Sequence, residues 1–313
     1  MKRAFVFPGQ GSQTPGMGQA LAEAFAPARE LFEEIDDALS QHLSRLMFEG
    51  PESELMLTEN AQPALLAASL AVVRVLESGG GFDVGRHAAY VAGHSLGEYS
   101  ALAAARALSV GDAARLVKRR GQAMQKAVPV GVGAMAALLG IDMEAAREIA
   151  ESAADSQVCA VANDNGPGQI VVSGHREAVE RAVALAAAQG ARRSIMLPVS
   201  APFHSSLMAP AAKIMAEALA ETQIDAPLAP VVANVTAAPT SDPAEIRELL
   251  VAQVTQMVRW RESVQVFAAE AVEEVVELGA GRVLGGLVKR IDRALPAISV
   301  GTPDEVEALV KRL

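Results

Sequence analysis

Apolar positions along the chain fall into short runs and longer helical repeats, separated by Gly, Pro and Ser. Residues 3–7 form an apolar run closed by Pro8, which predicts a short buried strand. Residues 8–16 read as a loop, and from there to about residue 78 the apolar positions recur at helical spacing. Gly79-Gly80-Gly81 breaks that pattern. A second apolar run, 88–92, predicts another strand, followed by helices over about 95–106 and 111–127. The next stretch differs. Strands are expected at 133–140, 157–162, 169–173 and 193–199, with helices at 142–153 and 175–189. The turn-rich segment 163–168 joins the two middle strands, and Ser173 or Gly174 is expected near the N-cap of the second helix. This β-α-β-β-α-β order is the split pattern of a ferredoxin-like module. The larger alternation then resumes, with a helix over 205–221, a strand near 231–232, and helices after Asp242 and over 260–271. A strand at 272–278, a helix behind Gly279, a strand at 297–300 and a helix at 303–313 complete it. Strands and helices alternating with single crossovers imply an α/β protein with a mostly parallel, covered sheet. Its large subdomain is expected to comprise residues 1–127 and 199–313, and the ferredoxin-like small subdomain is expected as an insertion at 128–198.

Composition narrows this picture. Hydrophobic residues make up 51% of the 313 positions and aromatics only 4%, so the core must be built mainly from Ala, Val and Leu. The formal charge of −10 argues against nucleic acid, which would need a strong local basic patch. The clusters Lys118-Arg119-Arg120, Arg192-Arg193 and Lys289-Arg290 read as solvated helix ends or strand edges. The lone Cys159 excludes an internal disulfide and any cysteine-based metal cage, and reads as a small buried residue. The N-terminal apolar run is too short for a signal peptide. The longest apolar helical stretch, 63–76, is interrupted by Arg74 and reads as too short for a membrane span. A reducing, cytoplasmic setting is expected, with no membrane partner and no metal.

The chemistry concentrates at Gly93-His94-Ser95-Leu96-Gly97, between the strand at 88–92 and a helical pattern. A serine at the apex of such a turn stands clear of the sheet, and its small neighbours admit substrate. The helix behind it aims free N–H groups and a positive dipole end at the same spot. That geometry suits nucleophilic acyl transfer, which requires a base. Of the five histidines, His42, His87 and His175 read as solvated or capping, and His94 as packing behind the serine. His204, in Ser200-Ala201-Pro202-Phe203-His204-Ser205, lies in a loop entering a helix, where it is either the base or a helix-start residue. The Gly9-Gln10-Gly11-Ser12-Gln13 loop allows close backbone approach, or is a tight turn.

These motifs occur together and in order. Phe5 to Gln13, Gly93-His94-Ser95-Leu96-Gly97-Glu98, Arg120-Gly121, Phe203-His204-Ser205 with Leu207-Met208, and Gln253 to Trp260 resemble the malonyl-CoA:acyl-carrier-protein transacylase family. The resemblance covers essentially the whole chain. It implies an α/β-hydrolase-like large subdomain with a ferredoxin-like insert, malonyl-CoA as substrate and acyl carrier protein as partner. It further implies Ser95 as nucleophile and His204 as general base. Gln253 resembles the residue whose carbonyl accepts the His204 ring N–H. Gln10 and the Leu96 N–H resemble an oxyanion hole. Arg120 resembles the guanidinium that grips the malonyl carboxylate, and Phe203 a residue typical of members that take malonyl groups.

A neutral partner at 253 would stabilise an imidazolium less than a carboxylate does. From this, Glu at 253 is expected to raise hydrolysis relative to transfer. A guanidinium left unpaired by an acetyl group would reject it. No cofactor is expected, since the CoA thioester is itself a substrate. A monomer is expected, docking the carrier through a local positive patch such as Lys289, Arg290 and Arg293, or Lys118 and Arg119.

Overall fold

The computed structural model describes residues 1–79 and 81–313, so Gly80 of the expected Gly79-Gly80-Gly81 break lies outside the described residues. Among the described residues, ten strands form two sheets. The large sheet contains β1 (Arg3–Phe7), β2 (Ala88–Gly93), β7 (Val231–Val232), β8 (Pro239–Thr240), β9 (Glu274–Leu278) and β10 (Ala297–Val300) in the order β10-β9-β1-β2-β7-β8. All its pairs are parallel except the two-residue β7/β8 hairpin, whose second strand, β8, the sequence pattern did not suggest. All five residues of β1 are buried, as expected of a strand covered on both faces. Phe7 pairs with Gly93, so the C-terminal ends of the two central strands lie side by side. Active sites of open parallel sheets form beyond such ends.

The small sheet contains β3 (Gly133–Leu139), β4 (Cys159–Asp164), β5 (Gln169–His175) and β6 (Arg193–Met196) in the order β4-β5-β3-β6, all antiparallel. Helices Met143–Ala154 and Arg176–Ala188 pack on it, which makes it the ferredoxin-like unit. It has its own core of Ala, Ile and Val side chains around Leu138, Ile149 and Val179.

Several boundaries depart from the sequence reading. Ser173 and Gly174 stay within β5, and His175 is the N-cap residue of the helix behind it. Residues 163 and 164 belong to β4 rather than to the turn. Strand β6 ends at Met196, and residues 197–199 leave the sheet to line a cavity instead. The apolar helix runs Thr58–Ser78, longer than the 63–76 stretch, and is long and apolar enough to cross a membrane by length and composition. Its length therefore does not exclude a span, but its packing accounts for its hydrophobicity. Residues such as Leu65, Ala68 and Val72 are buried in the main core. Helix Val110–Ala127 crosses this helix closely, because Gly121 lies where a Cβ would come within 2.6 Å of the Thr58 carbonyl oxygen. That close approach carries Arg120 inward.

Candidate active site

The elbow after β2 is tighter than the expected helix start at residue 95. The helix begins at Gly97, and Ser95 takes a left-handed φ of 54°. Such backbone costs about 1–3 kcal/mol at a non-glycine residue and persists only where the surroundings impose it. Gly93 and Gly97 are what make room. A Cβ at Gly93 would stand 1.9 Å from the Gly97 carbonyl, and one at Gly97 would stand 2.2 Å from the Phe7 carbonyl oxygen.

Ser95 Oγ is the meeting point of two other groups. His204 Nε2 lies 2.8 Å away and Arg120 Nη2 lies 3.1 Å away. The His204 tautomer follows from its other nitrogen. Nδ1 faces two main-chain carbonyls, Gln253 at 2.8 Å and Gln256 at 3.1 Å, so Nδ1 carries the hydrogen. Nε2 is then the free lone pair, and the serine O–H donates to it. Burial, reinforced by the Arg120 charge, pushes the His204 pKa down to about 3. His204 is therefore neutral at physiological pH and ready to accept a proton.

The Gln253 carbonyl that meets the His204 ring N–H is the main-chain one, whereas the expectation for Glu at 253 took the side chain as the partner. Any residue would supply that carbonyl. The Gln253 side chain is a separate connector, whose Oε1 accepts from Arg120 Nη2 at 2.8 Å. Its Nε2 donates to the Ser95 carbonyl at 2.9 Å and to Glu98 Oε2 at 2.7 Å. A glutamate here would thus not become the partner of the histidine. It would lose both donations and set a second carboxylate against Glu98. Glu at 253 is therefore not expected to raise hydrolysis relative to transfer.

Arg120 is not part of a solvated basic run, as its neighbours Lys118 and Arg119 suggested. It is 1% exposed and donates through Nη1 to Gln62 Oε1 at 2.8 Å. Its Nε has no partner among the described residues. The main-chain N–H groups of Leu96 and Gln10 likewise find no acceptor among the described residues, while Ser95 N–H is taken by Asn234 Oδ1 at 2.7 Å. The Gln10 side-chain oxygen is held by the Thr58 hydroxyl at 2.7 Å.

These groups open onto a cleft of about 220 Å³ between the two sheets. Gln10, Ser95, Leu96, Arg120, Phe203 and His204 all line it, and Gln253 stands behind Arg120. His94, read as pure packing, also reaches its wall, with Nε2 donating to Asn165 Oδ1 of the small sheet's turn at 2.8 Å. Asn163 and Gln62 line it too, and neither they nor Asn234 carried a sequence signal, since each lies far along the chain from the elbow. A larger groove of about 330 Å³, bordered by Leu31, Arg74 and Asp225, holds none of these groups. The arrangement brings a serine hydroxyl, a neutral imidazole, two N–H groups and a buried cation to one place, the groups that acyl transfer from a substrate bearing a carboxylate would call on.

The chain is similar to known proteins over essentially its whole length. Residues 4–294 match the acyl transferase domain family. A malonyl CoA-acyl carrier protein transacylase of Bacillus subtilis is 47% identical over 100% of this chain and 97% of its own length. One from Escherichia coli is 46% identical over 98% of each. The crystal structure of an acyl-carrier-protein S-malonyltransferase from Bartonella henselae superposes with a TM-score of 0.97 at 54% identity, covering 100% of this chain and 99% of that one. A type II polyketide acyl-carrier protein in complex with its malonyl-transacylase gives 0.96 at 42% identity, with 100% of both chains covered. The chain belongs to the malonyl-CoA:acyl-carrier-protein transacylase family of acyl transferase domains.

Proposed function

We propose that the protein moves a malonyl group from malonyl-CoA to the phosphopantetheine thiol of acyl carrier protein, through a malonyl ester on Ser95, to supply fatty acid synthesis. One observation carries the assignment of roles. A serine oxygen has a neutral imidazole at 2.8 Å and a buried guanidinium at 3.1 Å.

Ser95 Oγ attacks the thioester carbonyl as its proton passes to His204 Nε2. The resulting imidazolium stays hydrogen-bonded through Nδ1 to the Gln253 carbonyl. The tetrahedral oxyanion is held by the N–H groups of Leu96 and Gln10, and loss of one such donor costs about 10²–10³ in rate. Collapse expels the CoA sulfur, which takes the proton from Nε2. In the second half-reaction the carrier thiol gives its proton to His204, attacks the ester carbonyl, and Ser95 Oγ leaves with that proton.

Arg120 binds the free carboxylate of the malonyl group through charge-assisted hydrogen bonds. Doing so draws its charge away from His204 and raises the basicity of the imidazole as substrate arrives. Phe203 packs against the acyl group and limits substituents at its central carbon. The CoA thioester enters as substrate, and the steps call on no further cofactor. We place the protein in the cytoplasm. We further assign residues 128–198 as an inserted unit that forms one wall of the cleft.

Intact-mass measurement tests the reading. Mixing with malonyl-CoA should add one malonyl group, and acyl carrier protein should then remove it and gain it. Ser95→Ala should add none. A protein that never gains the mass with its serine present, or gains it equally without, overturns the assignment.

A further inference from the structure

The strained turn at Ser95 is held from outside its own segment. Asn234 lies in the loop after β7, is 1% exposed, and does not line the cleft. Its side-chain Oδ1 accepts from Ser95 N–H at 2.7 Å, and its Nδ2 donates to the Gly93 carbonyl at 2.7 Å. One amide thus bridges the residues on either side of His94. Asn234 is itself fixed at both ends of its backbone. Its N–H donates to Glu98 Oε2 at 3.2 Å, and its carbonyl accepts from the Arg259 N–H at 2.9 Å.

We infer that Asn234 is a positioning residue for acyl transfer: by bridging Ser95 N–H and the Gly93 carbonyl it holds the nucleophile's backbone, and so aims Ser95 Oγ and leaves Leu96 N–H as the free donor at the elbow. Two facts make this more than scaffolding. Ser95 occupies a left-handed conformation that its own side chain disfavours, so the external hydrogen bonds keep it there. Consecutive N–H groups in a turn also compete for the same acceptor. With Ser95 N–H engaged by Asn234, Leu96 N–H is the donor the elbow leaves for the forming oxyanion, beside that of Gln10. Because Asn234 does not itself line the cleft and meets it only through the Ser95 backbone, its effect should appear in the chemical step and not in substrate binding.

The inference rests on the acyl-Ser95 reading, and wild-type protein becoming malonylated at Ser95 is its separate control. The test is single-turnover malonylation by malonyl-CoA, reading the maximal rate constant and the half-saturating concentration. Asn234→Ala should lower the maximal rate on the order of 10²-fold, the scale of a small misplacement of a reacting group. Half-saturation should change less than about two-fold, since nothing that binds substrate is altered.

Asn234→Asp keeps the acceptor for Ser95 N–H but sets a carboxylate beside Glu98. It should recover part of the rate, and more when combined with Glu98→Gln, which removes the like charge. Should the alanine variant not fold, the aspartate single and double variants decide by the same split. An unchanged maximal rate, a loss carried by half-saturation, or an aspartate no better than alanine with no gain from Glu98→Gln overturns the inference.

Discussion

At the scale of single residues, burial and then the Arg120 charge govern when His204 accepts a proton. Burial, then the Arg120 charge, pushes the His204 pKa down to about 3. The pH profile of kcat/KM for malonylation, which reports the free enzyme, should therefore show no His204 step between about pH 7 and 5, where an ordinary histidine of pKa about 6.5 would already have titrated. The same depression has a stability sign. Between its folded and ordinary values the unfolded chain holds the extra proton, so acidification through that window withdraws stability. His204→Ala should flatten this part of the thermal-unfolding profile.

Arg120→Ala should abolish efficient malonyl transfer and narrow the malonyl-to-acetyl preference. A polar group left without its partner can reject an analogue by up to about 10⁴–10⁵. Steady-state rates with the two thioesters measure it. Gln253→Glu should cut malonylation at least about 10-fold, the scale of an uncompensated buried charge, while the ratio of hydrolysis to transfer stays as it was. Parallel assays with and without carrier measure that ratio. Glu98, which that variant would confront, already has its carboxyl pushed up to about 7 by burial.

At the scale of elements, close backbone approach decides where side chains arrive. Helix Gly97–Ala104 lies so near β1 that a methyl group at Gly97 would meet the Phe7 carbonyl. Gly97→Ala should cost about 1–3 kcal/mol by overpacking, read by thermal unfolding. Malonylation should suffer more than stability does, because the shift falls on the Leu96 amide. Two helix starts have local caps that the sequence reading did not single out: Asp142 and Ser109 each accept an N–H from the first turn of the helix they precede. The start of helix Val283–Ile291 has no side-chain cap from its own N-cap residue, Arg282. Its first N–H groups are capped by Glu277 from β9, at 2.9 Å to both Leu284 and Gly285, a partner supplied by an adjacent element. The short helix Val84–His87 also gave no periodic signal, being barely one turn.

At the scale of the whole molecule, the two sheets are tied beside the cleft. Val258 forms a parallel bridge with Asn163, accepting from the Asp164 N–H at 2.9 Å and donating to the Ala162 carbonyl at 2.9 Å. Arg261 Nε donates to Asp164 Oδ2 at 2.8 Å, and the Asp164 side chain is 1% exposed. Arg261→Ala should leave that carboxylate uncompensated and cost about 1–3 kcal/mol at neutral pH. The loss should shrink on acidification, because a protonated Asp164 has no charge to pair. Thermal unfolding of variant and parent across pH measures it.

The order of most elements, the split of the chain between two sheets and the strand–turn–helix elbow at Ser95 followed from the sequence alone. Apolar periodicity and Gly/Pro punctuation are local properties, and the five spaced motifs carried their own resemblance. What only the tertiary structure decided is which atoms meet. Arg120 sits beside two charged neighbours in sequence, yet it is buried against Ser95 because Gly121 brings its helix onto Thr58–Ser78. Gln253 serves His204 through its backbone, and Asn234 braces the elbow from 139 residues away. Hydrogen-bond partners across such separations are set by packing, and packing leaves no period in the chain.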